Sequence, residues 1–361
     1  MVTYTATNVR YSERDFQCLC DVWEGGSGSD KMALIRFEGG GMNRSDKQFI
    51  ESQFDFFSDA LRDPADQVGG FYEANDDVVV FSCNYVMHRV QAESSTGSDA
   101  EGFKPSSGFS MRYSSNPGYM DRWILCVLDA IEFVKRNAVT YGVSLDKIWL
   151  SGSSAGAMAV SAAAYLDSIG YSTLSSAFNT RPNVSTLNTD VAGMILHDAP
   201  LDLTAEATIG GIFNPFVGVM TDQTPWSADL QERVRHVSAL KILEDTQKKP
   251  DVFSWYNGTY DATQVIGGSG STHAGAHDPA FGVAHHNRIQ SLYGGDGTGL
   301  DKLAGVRPAH ALYVKDDASG FLAACGNNAW ADTHNFNPQI GTVGLYPITQ
   351  LRAFLTTLGY L

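Results

Sequence analysis

A serine set between glycines is the first chemistry this chain offers. Gly152-Ser153-Ser154-Ala155-Gly156 is a Gly-x-Ser-x-Gly element. It follows the apolar run Ile148-Trp149-Leu150 and precedes the small residues Ala157, Ala159, Ser161, Ala162, Ala163 and Ala164. That order reads as a buried strand, a sharp turn and a tightly packed helix, the setting of a nucleophile elbow. The turn strains the central residue and exposes its hydroxyl, and the flanking glycines admit neighbouring backbone without a Cβ clash. The five residues also fit a plain Gly/Ser turn; the flanks on both sides favour Ser154 as a nucleophile.

A serine hydroxyl is a weak nucleophile near neutral pH. It needs a base, an acid that orients the base, and donors for the oxyanion. In enzymes with this elbow the chain order is Ser, then Asp or Glu, then His. Asp261, in Tyr260-Asp261-Ala262-Thr263-Gln264 after the apolar run 252–256, is the expected acid. Asp198, at the end of Ile195-Leu196-His197-Asp198, is its rival. Either aspartate also fits a turn or a helix cap. His334 is the expected base, being the only histidine after the expected last strand at 309–314. His197 adjoins the rival acid and is a candidate for lining the site, whereas His88 and His236 read as ordinary surface or core histidines. The expected oxyanion donors are the backbone N–H groups of Ala155, Gly41 and Met42, with Gly40 in reserve. The last three belong to Glu38-Gly39-Gly40-Gly41-Met42, which follows an apolar run at 32–37. One such donor typically contributes about 3 kcal/mol to the transition state.

Other polar clusters read as non-catalytic. His273, His277, His285 and His286, with Asp278, have metal-binding residue types. The Gly- and Ser-rich sequence around the first two gives no rigid scaffold for ligand geometry, so no metal is expected. Gly267-Gly268-Ser269-Gly270-Ser271 lacks the lysine of a phosphate loop, reads as a flexible loop, and implies no cofactor.

The elements that must position these residues are legible as alternating strands and helices. An antiparallel strand pair is expected over 4–23, and strands at 32–37, 78–82, 147–150, 191–197, 252–256 and 309–314. Helices are expected at 120–141, after the elbow, at 227–246 and at 346–358. Segment 91–118 reads as a long surface loop, 267–281 as a Gly/Ser/His loop, and 201–226 as an insertion that caps the site. The alternation implies α/β architecture: a mainly parallel sheet covered by helices, in one domain over 1–361 with loop and cap insertions. An elbow in such a sheet indicates the α/β-hydrolase fold.

Composition bounds the partners. The 361 residues are 43% hydrophobic and 18% charged, a globular balance. Against 40 acidic residues stand 25 basic ones, a net charge of -15 that repels nucleic acid and anionic membrane surfaces. No apolar run reaches the roughly 18 residues of a membrane span. The first residues lack the basic and apolar regions of a secretory signal, so the expectation is action inside the cell, or outside it after a signal has been removed. Five cysteines are too few for a disulfide scaffold. Cys18 and Cys20 are too close to bridge each other; a single bridge from either of them to Cys83 is left open. Oligomeric state is left open too.

Taken in order, Glu38-Gly39-Gly40-Gly41, Gly152-Ser153-Ser154-Ala155-Gly156 and Tyr260-Asp261-Ala262-Thr263-Gln264 resemble the pectin acetylesterase/Notum family of carboxylesterases. The resemblance runs over about residues 32–335, and Ile195-Leu196-His197-Asp198-Ala199 resembles a non-catalytic Asp-Ala stretch of that family. It implies Ser154 as nucleophile, Asp261 as acid, His334 as base, an oxyanion hole from Gly41, Met42 and Ala155, and removal of an ester-linked acyl group. Met42-Asn43 stands where the family carries Trp-Cys, which changes a pocket wall and removes a disulfide. The cysteines are fewer, and Cys325 precedes His334 at a wider spacing than the family's. These departures fit a distant, bacterial-type member. The expected activity is a serine acetylesterase acting on an O-acylated carbohydrate or similar ester. The alternatives are a lipase or polyester depolymerase with the same triad, and a non-catalytic binding module on a hydrolase fold.

Overall fold

The computed structural model describes residues 3–13, 18–37, 77–85, 120–166, 189–203, 235–246, 248–259, 279–293, 308–316, 320–325 and 348–361. Among them nine strands form one sheet: β1 (Thr3–Arg10), β2 (Leu19–Glu24), β3 (Lys31–Phe37), β4 (Val78–Cys83), β5 (Val143–Ser153), β6 (Gly193–His197), β7 (Asp251–Thr259), β8 (His310–Asp316) and β9 (Gly320–Cys325). Their spatial order is β1-β2-β4-β3-β5-β6-β7-β8-β9. From β4 to β8 the pairs are parallel; β1, β2 and β9 add antiparallel margins. The register slips twice along β1 and once where β9 meets β8.

Six helices lie among the described residues: α1 (Met120–Arg136), α2 (Ala138–Tyr141), α3 (Ala155–Tyr165), α4 (Ala239–Thr246), α5 (Pro279–Tyr293) and α6 (Ile348–Thr357). Parallel strands covered on both faces read as unbroken apolar runs, and β3, β4 and β6 are buried along their whole length. Side chains of β3 alternate between two cores. Ala33, Ile35 and Phe37 join the cluster that holds α1, α3, α4 and α5. Met32 and Leu34 join the other, where Leu351, Phe354 and Leu355 of α6 pack on Trp149 and Phe253. Every residue of α3 is buried, because its run of alanines lets it sit close against β5, α1 and α4.

The structure corrects several expectations. Segment 309–314 is not the last strand; β9 follows it as an antiparallel partner. The helix α5 was not read from sequence, since Pro-Ala-Phe-Gly-Val-Ala-His-His carries no clear apolar stripe and both of its histidines are buried. The single helix expected at 120–141 is broken at Asn137, and Gly142, at φ +65°, turns the chain into β5. Strand β5 begins at Val143, upstream of the apolar run. Segment 91–118, and residues 204–226 of the expected cap, lie outside the described residues.

Candidate active site

Strand β5 ends at Ser153 and α3 begins at Ala155, so Ser154 alone makes the turn. Its backbone sits at φ +51°, ψ −117°. A positive φ is uncommon for a residue with a side chain and carries a strain of order 1–3 kcal/mol. The surroundings hold it there. The Ser154 N–H donates to the His197 carbonyl at 2.8 Å, and the Ser154 carbonyl accepts the Met158 N–H at 3.0 Å. Gly152 makes the sharpness sterically feasible: a Cβ there would stand 2.5 Å from Ala157 N and from Gly156 C. Only a bare α-carbon lets α3 fold back so tightly over the strand it leaves. Strand, strained serine and buried helix are thus the elbow expected from sequence. Ala155 takes the expected place at the first turn of α3, where backbone N–H groups lack partners within the helix.

The sheet brings neighbouring strand ends level with this turn. Phe37 pairs with Gly152, so the chain leaves β3 beside the elbow. On the other side Ser153 pairs with His197, His197 with Trp255, and Trp255 with Tyr313. Phe37, Ser153 and His197 are the carboxyl ends of β3, β5 and β6, the edge at which open sheets assemble their sites, and β7 and β8 run on past Trp255 and Tyr313 to Thr259 and Asp316.

A polar line runs along that row. Ser153 Oγ and His197 Nδ1 are 3.0 Å apart. His197 Nε2 is 3.0 Å from Asp198 Oδ2. The imidazole stacks on Trp255 with centroids 4.8 Å apart and an interplanar angle of 11°. Asp198, itself at φ +49°, donates its N–H to the Trp255 carbonyl at 3.0 Å. The line has triad residue types, but its imidazole is engaged at both nitrogens and buried, and its aspartate is the histidine's own neighbour. It serves as a strut that ties the elbow to β6 and β7. Sequence reading found His197 and Asp198 but not their link to Ser153; the signal lay in the equal level of two strand ends, which pairing alone reveals.

Trp123, Ile124, Met158, Ala159 and Val237 line an apolar crevice between α1 and α3 with room for about one water molecule. Met158 and Ala159 belong to the first turns of α3. Tyr141, at the end of α2, comes two residues before β5, so the far end of α1, with Trp123 and Ile124, lies toward the carboxyl edge.

Of the expected site residues the structure places Ser154, Ala155 and the rival acid Asp198. Gly41, Met42, Asp261 and His334 lie outside the described residues. In sequence Asp261 comes two residues after β7 ends. Among the described residues no group of three His, Cys, Asp or Glu is arranged to hold a metal ion, and no helix is long and apolar enough to cross a membrane. His285 and His286, which have metal-binding residue types, are buried in α5. Tyr165 Oη meets His285 Nε2 at 2.6 Å, Ser254 Oγ meets His286 Nε2 at 3.0 Å, and His310 Nδ1 lies 2.6 Å from His286 Nδ1.

No family model and no curated protein sequence matches the chain. Solved structures do resemble it. Esterase B from Lactobacillus rhamnosis, inhibited by a C4-C4 SN3 tributyrin phosphonate, aligns with a TM-score of 0.50 at 12% identity, over 87% of this chain and 74% of that one. Thermogutta terrifontis esterase 2, phosphoramylated by tabun, aligns with a TM-score of 0.50 at 14% identity, over 100% of this chain and 95% of that one. The same esterase with butyrate bound aligns with a TM-score of 0.50 at 16% identity, over the same shares. Likeness at such identities establishes the fold: this chain is an α/β-hydrolase fold.

Proposed function

We propose that the protein is a serine carboxylic-ester hydrolase that removes acetyl or other short acyl groups from an O-acylated carbohydrate or a similar ester. One observation carries the reading: Ser154 is held at φ +51° between β5 and α3, over a glycine that admits no Cβ. Strain stored at a single hydroxyl at the carboxyl edge of the sheet has an evident use in nucleophilic attack. In this reading Ser154 Oγ attacks the acyl carbon while His334 takes its proton, and Asp261 holds the resulting imidazolium. The N–H groups of Ala155, Gly41 and Met42 receive the oxyanion. The alcohol leaves with the proton from His334, and water, deprotonated by the same imidazole, then hydrolyses the acyl-enzyme. Three features support these assignments: β3 ends beside Gly152, Asp261 follows β7 closely, and His334 comes last in the chain order.

An acetyl group is what the resemblance of the three ordered motifs to pectin acetylesterases implies. Tributyrin phosphonate and butyrate, carried by the structurally similar esterases, are short-chain ligands too. A p-nitrophenyl ester series from acetate to octanoate tests the acyl preference. Turnover rising toward octanoate would favour a lipase or polyester depolymerase instead. Ser154→Ala is expected to lower p-nitrophenyl acetate turnover by roughly 10⁴-fold or more with unchanged melting temperature. Undiminished turnover in that variant overturns the reading. Failure of a fluorophosphonate to label Ser154 would leave a non-catalytic module.

A further inference from the structure

The cysteines take no part in the chemistry proposed above. Cys18, Cys20, Cys83 and Cys126 are buried thiols in the core cluster shared with α1 and α3. Cys18 stands immediately before β2, and Cys126 lies in the second turn of α1. Their sulfurs are 3.9 Å apart, and neither side chain has any exposed surface. Tyr11 packs into the same cluster, where burial first, then Cys126, Cys18 and Cys83, hold its phenol well above its ordinary pKa. It therefore stays neutral and donates to the Asn84 carbonyl. The bridge left open from sequence, to Cys83, is not the one the fold favours. Cys20 and Cys83 do oppose each other across β2 and β4, but the Cys83 thiol turns to its own strand, 3.6 Å from the Phe81 carbonyl.

A disulfide needs its sulfurs about 2 Å closer than those of Cys18 and Cys126 now stand. Both side chains are unbranched, so each sulfur can move by rotation about a single bond. We propose that Cys18 and Cys126 form a disulfide when the chain folds in the presence of a small-molecule disulfide, tying the antiparallel margin of the sheet to the helix that packs on α3. One cysteine thiolate attacks glutathione disulfide and expels a glutathione thiolate. The second attacks the protein sulfur of the mixed disulfide and expels the other glutathione. The protein loses two hydrogens and two electrons, and the oxidant leaves as two thiols. Because both sulfurs are sealed in the finished core, exchange takes place before α1 docks. The partners are 108 residues apart, and cross-links over long loops remove the most freedom from the unfolded chain.

The test is refolding of the full chain from denaturant in glutathione disulfide with glutathione, beside refolding in excess reductant. Peptide mapping without reduction is expected to give one linked species joining Cys18 to Cys126. Maleimide in denaturant is expected to label three of the five cysteines. The melting temperature should rise by about 5 °C over the reduced protein. Cys126→Ala should abolish the rise and Cys20→Ala should keep it. Labelling of all five thiols after oxidative refolding, or a link between Cys20 and Cys83, overturns the proposal. Should Cys126→Ala fail to fold, the wild-type peptide map decides alone. The outcome is independent of the ester-hydrolase reading, since an inactive protein forms the bond equally well.

Discussion

Gly152 and Ser154 make the turn together, the first by clearing space and the second by filling it with an unusual backbone angle. Gly152→Ala drives a methyl carbon into the backbone at Gly156 and Ala157. It is expected to destabilise the fold by about 1–3 kcal/mol and to depress ester turnover, read by denaturant unfolding and by p-nitrophenyl acetate assay. The choice of acid also belongs to this scale. Asp198 already anchors His197 and Trp255 through its side chain and its N–H. Asp198→Asn is therefore expected to leave kcat within about tenfold of wild type, whereas Asp261→Asn lowers it by roughly 10⁴-fold; the reverse order would exchange their roles. The elbow was legible because its requirements are local: small residues, a strand before and a helix after. The strut from Ser153 to His197 was not, because residues 44 apart in sequence meet only through sheet register.

Helix α5 shows the same contrast at the scale of an element. Its residues bury two imidazoles, so the amphipathic pattern that reveals a helix is missing. Burial, and next to it His310, lowers the pKa of His285 to about 3; the same causes, with His285 added, hold His286 well below 6.5. Among the described residues His285 Nδ1 has no hydrogen-bond partner. The unfolded chain binds protons on these groups near 6.5 and the folded chain does not, so acid favours unfolding. Stability is expected to be fully present above about pH 6.5. Between there and about pH 3 it should fall by up to about 1.4 kcal/mol per pH unit on account of His285, with His286 acting in the same direction, read from melting temperatures across that range. Replacing His285 by Phe should flatten the curve. Parallel strands, by contrast, announced themselves as unbroken apolar runs, which is why β3, β4 and β6 lie nearly where the sequence reading expects them.

At the scale of the whole molecule, the net charge of -15 acts on encounter rather than on fold. For a neutral acetyl ester, kcat/KM is expected to vary little with salt. For an acetylated polyuronate it should rise several-fold between about 10 mM and 150 mM salt as screening shortens the repulsion. A falling value would instead reveal a local patch of positive charge at the site. The sheet itself has two outer margins, and both are irregular. Along β1 the pairing slips between Tyr4 and Ala6 and again between Ala6 and Val9, Asn8 turns to φ +53°, and its N–H goes to the Asp21 carboxylate. Opposite, β9 slips against β8 between Leu312 and Tyr313. An incoming chain needs a straight rank of amides to copy, and among the described residues the pairing is interrupted at both rims. A crowded solution of this protein should thus be slow to seed fibrils, for want of a template at either end of its widest surface.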